Sequence, residues 1–364
     1  MDRCCVLAAI VVAGCAFQSA ARLDAGSGDS HDAAPLDAPP NPCGLPSLAL
    51  HVATLAGCDA AGTDDGAREL ARFANPVNVA LAPSGIAYIV DFDSSRLRRV
   101  EPSGRTSTIV MPPTVHSPFG IALGRTGYLY LETDDDDLGQ HSLTTGTIWT
   151  VNPATGDATV IARDIGRPRG IAVLADGRLA LADHQHQVVE LLDPATGAVT
   201  LLAGTADTPG HVNGVGAAAL FAQPYDLVVL NGDLIVTDFE NQVLRRVTLT
   251  GVVTDFAGAG AAGHADRAVA AATFTSPKGA AIDASGAIYI TESGNHDIRR
   301  IANGTVTTFA GTTQPGWRDD DDPALAQFYG VEGLAVSADG TRLVVADGNV
   351  GDGMPFNRVR VVHR

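Results

Sequence analysis

Positive charge is scarce in this chain. Lys and Arg number 24 against 41 Asp and Glu over 364 residues, a formal net charge of -17. A phosphate-binding surface needs clustered Lys and Arg, so nucleic acid is excluded as a partner class. Long apolar runs are also missing. The N-terminal run from Cys4 to Ala13 has ten residues, about half of the roughly 20 that a membrane-spanning helix needs. Cysteine is rare too: Cys4, Cys5, Cys15, Cys43 and Cys58 are all there are, and no second Cys or His pair stands near them at zinc spacing. The remaining apolar runs are short, β-branched and bounded by Gly turns, which does not fit a helical period.

What the chain does have is a six-fold echo. Pro76, Pro118, Pro168, Pro224, Pro277 and, with proline replaced, Val331 anchor it at spacings of 42, 50, 56, 53 and 54 residues. Periods of that size mean blades or solenoid turns. After each anchor comes an aliphatic run, a tight turn (Ser84-Gly85, Thr126-Gly127, Asp176-Gly177, Asn231-Gly232, Ser285-Gly286, Asp339-Gly340) and a second run such as IAYIV or IYITE. A third run and, in all but the last repeat, a fourth follow. Two runs joined by a tight turn make a hairpin, and four antiparallel strands make one propeller blade. The expected fold is all-β, a six-bladed β-propeller over 48–364. The last repeat stops after its third strand, whereas LHVATLAG at 50 to 57 precedes the first anchor as an unassigned strand. That segment is expected to complete blade 6, removing two open sheet edges.

Ser293 to Ile301, SGNHDIRRI, followed by TVTTFAG, resembles the NHL-repeat family of β-propellers through its N-H-x-I-R-R-I signature. The resemblance covers about residues 50 to 364 and implies the propeller fold. The family spans scaffolds, sensor domains and a few enzymes, so it implies no single activity. Blades 2 and 3 depart from the pattern, with Thr133 in place of the strand-ending acid and Glu190 in place of the arginine.

The N-terminus reads as a separate element. Residues 1–14 have the short charged start and apolar stretch of a signal peptide, and Val12-Ala13-Gly14-Cys15 resembles a bacterial lipobox. That resemblance implies cleavage before Cys15 and acylation of its thiol, with membrane contact by lipid anchor only and a place in the cell envelope or at the cell surface. An ordinary secretory signal cut farther on is the alternative. Residues 15–47 are rich in Ala, Asp, Ser, Gly and Pro, with too few large apolar side chains to fold; a flexible tether of about 30 residues reaches on the order of 30 Å. Export would leave Cys43 and Cys58 in an oxidising compartment, and their places on either side of the closing strand suggest a disulfide, against two free thiols or separate metal ligands. Such a bridge contributes about 3 kcal/mol in the chain-entropy model.

Candidate sites lie on one face. The turns between first and second and between third and fourth strands are short, while the connections between blades and between second and third strands hold the insertions at 58 to 75, 133 to 146, 204 to 223, 259 to 276, 312 to 330 and 348 to 357. Variable loops on a rigid scaffold favour binding. Asp134, Asp135, Asp136 and Asp137, and Asp319, Asp320, Asp321 and Asp322, mark this face for a protein, peptide or glycan ligand. Asp347, Asn349 and Asp352 also offer hard oxygens that suit calcium, although runs of Asp ordinarily form solvated, self-repelling loops. Four insertions end in A-x-F, at Phe73, Phe221, Phe274 and Phe328, and repetition reads these as packing plugs. Asp91 and Arg98, Asp238 and Arg245, and Glu292 and Arg299 are expected to pair across strands. His116, His184, His186 and His296 share the face without a metal motif and read as exposed loop residues. The similarity to gluconolactonase-like propellers and related lyases implies a second reading, a metal-dependent lactonase, hydrolase or lyase with a divalent metal on Asn78, Asp226 and Glu332 at the channel mouth. Gly in four of six equivalent positions, with Arg169 and Lys278 nearby, weighs against it. The favoured expectation is a monomeric binding protein with no obligatory cofactor.

Overall fold

The computed structural model describes residues 43–136, 138–349, 351, 354 and 356–364. The signal segment, Cys15, the tether up to residue 42, Asp137 and Asp352 lie outside the described residues. Six antiparallel sheets follow one another along the chain, four-stranded apart from the two-residue strand Gly214–Val215 added to blade 4. They form a six-bladed β-propeller. Among the described residues the only helical pieces are two short 3-10 turns, Gly216–Ala218 and Pro323–Leu325, and no helix is long and apolar enough to cross a membrane.

The innermost strands are Pro76–Leu81, Pro118–Leu123, Pro168–Val173, Pro224–Leu230, Pro277–Ile282 and Gly330–Val336. Proline suits the first position of a strand, where its missing N–H breaks no ladder. Each hairpin turn places its glycine at positive φ, from 69° at Gly340 to 93° at Gly177, a conformation costly for other residues. Successive blades bury aliphatic clusters between them, such as Ile235, Leu244, Ala257, Phe274, Ile288 and Ile290 between blades 4 and 5.

Neighbouring inner strands come very close together. A Cβ added at Gly279 would stand 2.2 Å from the Glu332 carbonyl, and one at Gly170 would stand 2.6 Å from the Asp226 Cα. Glycine at the second position after the anchor is therefore a packing requirement in blades 3, 5 and 6, whereas Asn78 and Asp226 take that place in blades 1 and 4. A second seam clasps adjacent blades at their tops. The Asn75 amide donates to Asn357 Oδ1 at 2.8 Å, Ser117 to Ser95 Oγ at 3.1 Å, Gln223 to Gln187 Oε1 at 2.5 Å and Ser276 to Gln242 Oε1 at 2.6 Å. The His296 ring donates to the Tyr329 carbonyl at 2.6 Å, so this histidine is a clasp and not a free loop residue.

The closing strand is where the sequence places it. Val52–Cys58 pairs antiparallel with Asn357–His363, from Val52 opposite Val362 to Cys58 opposite Asn357, and all seven residues are buried. Cys43 and Cys58 form a disulfide with Cα atoms 5.9 Å apart. Deleting Val52–Cys58 is expected to expose the Asn357–His363 edge and give soluble aggregates. Replacing both cysteines by Ser should instead leave a monomer with stability reduced by about 2–4 kcal/mol. Size-exclusion chromatography and thermal melts read the two outcomes.

Candidate functional site: the channel mouth and its loops

The loops on the insert-rich face are held by a repeated buried unit. Arg98, Arg245, Arg299 and Arg360 are fully buried. Each meets the acid at the end of the neighbouring strand: Asp91 at 3.3 Å, Asp238 at 2.9 Å, Glu292 at 2.6 Å and Asp347 at 3.1 Å. Each guanidinium also stacks over the loop phenylalanine, at 4.9 Å from Phe73, 5.3 Å from Phe221, 5.5 Å from Phe274 and 4.9 Å from Phe328. It donates to the carbonyl of the residue just before that ring, Arg72, Leu220, Thr273 or Gln327. The acid accepts the amide just after the ring, from Ala74, Ala222, Thr275 or Tyr329. An acceptor farther up the chain completes the unit: Asp65, Asn213, Asp266 or Asp319. The expected cross-strand pairs are present, and they pin whole loops. In blade 2 Trp149 stands in the arginine's place and donates to Thr133 Oγ1 at 3.0 Å.

The acidic runs are correspondingly not simple solvated loops. Asp134 is buried and paired with Arg169 at 2.9 Å, and Asp135 binds Ser117 and His141. Asp136 accepts the amides of Leu138 and Gln140. Asp319 is buried on Arg360 and Thr54, and Asp320 pairs with Arg318. Asp322 caps the turn at Ala324. Asp321, beside His51, has a side chain 74% exposed. Burial of Asp134 and Asp319 follows from their arginine partners, which a run of identical residues in sequence does not reveal. Asp347 is engaged by Arg360 and two backbone amides, and Asn349 accepts the Gly351 amide.

Two tiers of side chains close the channel mouth. The residues one after each anchor form the lower tier: Val77, Phe119, Arg169, Tyr225, Lys278 and Glu332. Phe119 and Tyr225, from blades 2 and 4, meet edge to face at 6.0 Å, so they touch past blade 3. The Arg169 guanidinium lies 3.6 Å over Phe119, and Lys278 is ion-paired with Glu332 and 5.2 Å from the Tyr225 ring. The Tyr225 hydroxyl donates to Glu332 Oε1 at 3.4 Å; burial, then the nearby Glu332 charge, pushes the phenol up to about 12. The upper tier contributes Phe92, His184 and Phe239, the residues following the strand-end acids. Phe239 and His184 contact Tyr225 at 5.8 and 6.1 Å, and Phe92 contacts Phe119 at 5.7 Å. His184 donates Nδ1–H to the Arg167 carbonyl; burial, then the Arg169 charge, lowers its pKa to about 3. It is neutral at physiological pH. Beneath this plug the channel encloses about 380 Å³, lined by all six inner strands.

The three oxygens of the metal reading each have partners within the protein. Asn78 Oδ1 accepts the Val79 amide at 2.9 Å, Asp226 accepts the amides of Leu227 and Ala280, both at 2.8 Å, and Glu332 is held by Lys278 and Tyr225. Among the described residues His116, His184, His186 and His296 join no cluster of three His, Cys, Asp or Glu ligand atoms; His186 binds Asp183 at 2.7 Å and His184 is partly buried. A convergent group missed in the sequence is His264, Glu292 and Asp297 in blade 5. His264 Nε2 meets Asp297 at 2.5 Å, and Arg299 already neutralises Glu292. The aromatic mouth was missed as well, although the positions after each anchor and each strand-end acid spell it out.

No family model matches the chain. It is 27% identical over 283 residues to Protein SUPPRESSOR OF QUENCHING 1, chloroplastic, of Arabidopsis thaliana; the match takes in 66% of this chain and spans about a quarter, 26%, of that protein. Among solved structures it is similar to an auxiliary nutrient binding protein from Bacteroides ovatus, with TM-score 0.66, 18% identity and coverage of 85% of this chain and 75% of that one. It is also similar to a protein provisionally named a gluconolactonase, with TM-score 0.56, 14% identity and coverage of 88% and 93%. At these identities the likeness establishes the propeller fold.

Burial pushes Asp226 up to about 7, against the pull of its two backbone amides. Its folded pKa thus lies above its unfolded value near 4. Between those values the folded chain keeps a proton that the unfolded chain has lost, so stability falls as pH rises from about 4 to about 7. Asn78 shows that Asn fits the same position in blade 1. Asp226→Asn should therefore flatten the loss of unfolding free energy across that window, by about 1–2 kcal/mol after discounting for partial exposure, as denaturant titrations at each pH would read. A steeper loss in the variant would contradict the assignment.

Proposed function

We propose that this chain is an exported, lipid-anchored NHL-type propeller that binds a protein, peptide or glycan on its loop-rich face, with the channel mouth as principal contact. The observation that carries this reading is the convergence of Phe92, His184, Tyr225 and Phe239 at the mouth, all partly exposed, with His184 and Phe239 against Tyr225 and Phe92 against Phe119. Aromatic groups of this kind bury large areas at low entropic cost and dominate binding hot spots. Their positions are preset by the strand starts below and the pinned loops beside them, so little ordering remains to be done on binding. Asp321 supplies exposed charge elsewhere on the same face, beside His51, and such charge acts chiefly on association rate and partner choice.

Anchoring rests on the Val12-Ala13-Gly14-Cys15 motif. Cys15→Ala is expected to abolish fatty-acid labelling and release the protein from the membrane fraction; unchanged partition would remove this part of the reading. For binding, glycan arrays and peptide libraries probed with the whole chain identify ligands. The Tyr225→Ala/Phe239→Ala variant should then lose at least about tenfold in affinity, about 1.4 kcal/mol, while keeping its melting transition. Undiminished binding would move the site elsewhere. A divalent metal retained through purification, with a lactonase or lyase rate lost on Glu332→Gln, would replace binding by catalysis.

A further inference from the structure

A second aromatic surface lies at the outer edge of blade 6, apart from the mouth. It is a groove of about 400 Å³ with walls formed by Pro46, Trp317 and Phe356 and with Gln327 at its edge. The chain has two tryptophans. Trp149 is buried with its indole N–H satisfied, whereas Trp317 is 39% exposed. Trp317 is nevertheless fixed. The Arg358 guanidinium lies 4.1 Å from the centre of its ring, and that arginine is itself buried and paired with Asp59 at 2.5 Å. The Gly316 amide donates to the Phe328 carbonyl at 3.0 Å, which sets the loop just before the indole. One ring face is therefore committed to the protein while much of the rest is open. Opposite, Phe356 stacks on Tyr329 at 4.2 Å, and Tyr329 stacks on His296.

Two rigid aromatic walls and a proline ring form a slot suited to another flat, rigid ring. An extended polyproline segment meets that description and loses little entropy on docking. The Gln327 carboxamide is the type of group that pairs with the unsatisfied carbonyls of such a backbone. The flank sets the charge. Asp319 is consumed by Arg360 and Thr54, and Asp320 by Arg318, whereas Asp321 and Asp322 are exposed and, among the described residues, pair with no arginine or lysine; Asp321 lies 3.4 Å from the His51 ring. A net charge of -17 disfavours a second copy of this chain as the occupant.

We propose that the Trp317 groove binds an extended, proline-containing peptide with a Lys or Arg beside the proline motif. This rests on the reading of the loop-rich face as a binding face and adds to it a second site, apart from the mouth, with its own partner class.

Trp317 supplies the readout, because the other tryptophan is buried. The full chain is titrated with a synthetic P-x-x-P peptide carrying flanking arginines, following intrinsic fluorescence. A saturable shift of the emission is expected, lost with an alanine-for-proline control peptide. By calorimetry, affinity should fall at least tenfold in Trp317→Ala and less in Trp317→Phe, which keeps a ring over Arg358. Asp321→Asn/Asp322→Asn should weaken binding several-fold and reduce its salt dependence. The Tyr225→Ala/Phe239→Ala variant should bind the peptide normally. The proposal is overturned by equal binding of the control peptide, by full affinity in a folded Trp317→Ala, by no fluorescence change with any arginine-flanked P-x-x-P peptide, or by a dimer that Trp317→Ala dissociates. Peptide loss confined to the mouth variant would also overturn it, and would leave the binding reading of the face intact.

Discussion

A buried guanidinium between a phenylalanine ring and two acceptors is the interaction on which this face of the protein depends. Taking an arginine out of water is costly, and the cost is offset by pairing its charge and engaging its donors. Blades 1, 4, 5 and 6 pair the charge and engage both terminal guanidinium nitrogens with the same parts, while the Nε of Arg98, Arg299 and Arg360 has no hydrogen-bond partner among the described residues. The strand-end acid balances the charge, the loop supplies a carbonyl and a further acceptor, and the ring covers the planar face. Because the acceptors come from the inter-blade loop, the arginine cannot be satisfied unless the loop is in place. Burial of one charge thus orders a connection of some eighteen residues that has little core of its own.

Blades 2 and 3 lack the unit and also lack the long preceding insertion. Trp149 fills the arginine's place in blade 2, and in blade 3 Glu190 does so, its carboxyl pushed up to about 7 by burial and then by Asp183. The ring is therefore asymmetric. Arg169 and the buried Asp134 join blades 2 and 3 at the mouth instead, with Phe119 stacked beneath the guanidinium. Pinned loops on one arc and a compact ion pair on the other leave the aromatic mouth between them.

Much of the architecture was legible because the repeat carries register. The anchors coincide with the starts of the inner strands, the truncated last repeat identifies Val52–Cys58 as its missing strand, and the seven-residue spacing from Asp238 to Arg245 and from Glu292 to Arg299 marks cross-strand pairs. Lateral neighbours were less legible. Phe119 and Tyr225 are more than a hundred residues apart and meet only because the ring closes. Asp319 looks identical to Asp321 in the sequence, yet one is buried on Arg360 and the other projects into water. Asn78 and Asp226 read in the sequence as free oxygens, whereas one backbone amide donates to Asn78 and two donate to Asp226 at the inner seam. A period predicts which strand a residue occupies; the partner across the blade interface depends on closure.

That the inter-blade loops are held by the arginine of the blade they precede is tested most directly by hydrogen exchange on Arg299→Met. It predicts loss of protection in the loop at 259 to 276, with the amides of Ile288–Glu292 and of the other blades unchanged. Unaltered exchange in that loop, or an even loss of protection over all six blades, would contradict it.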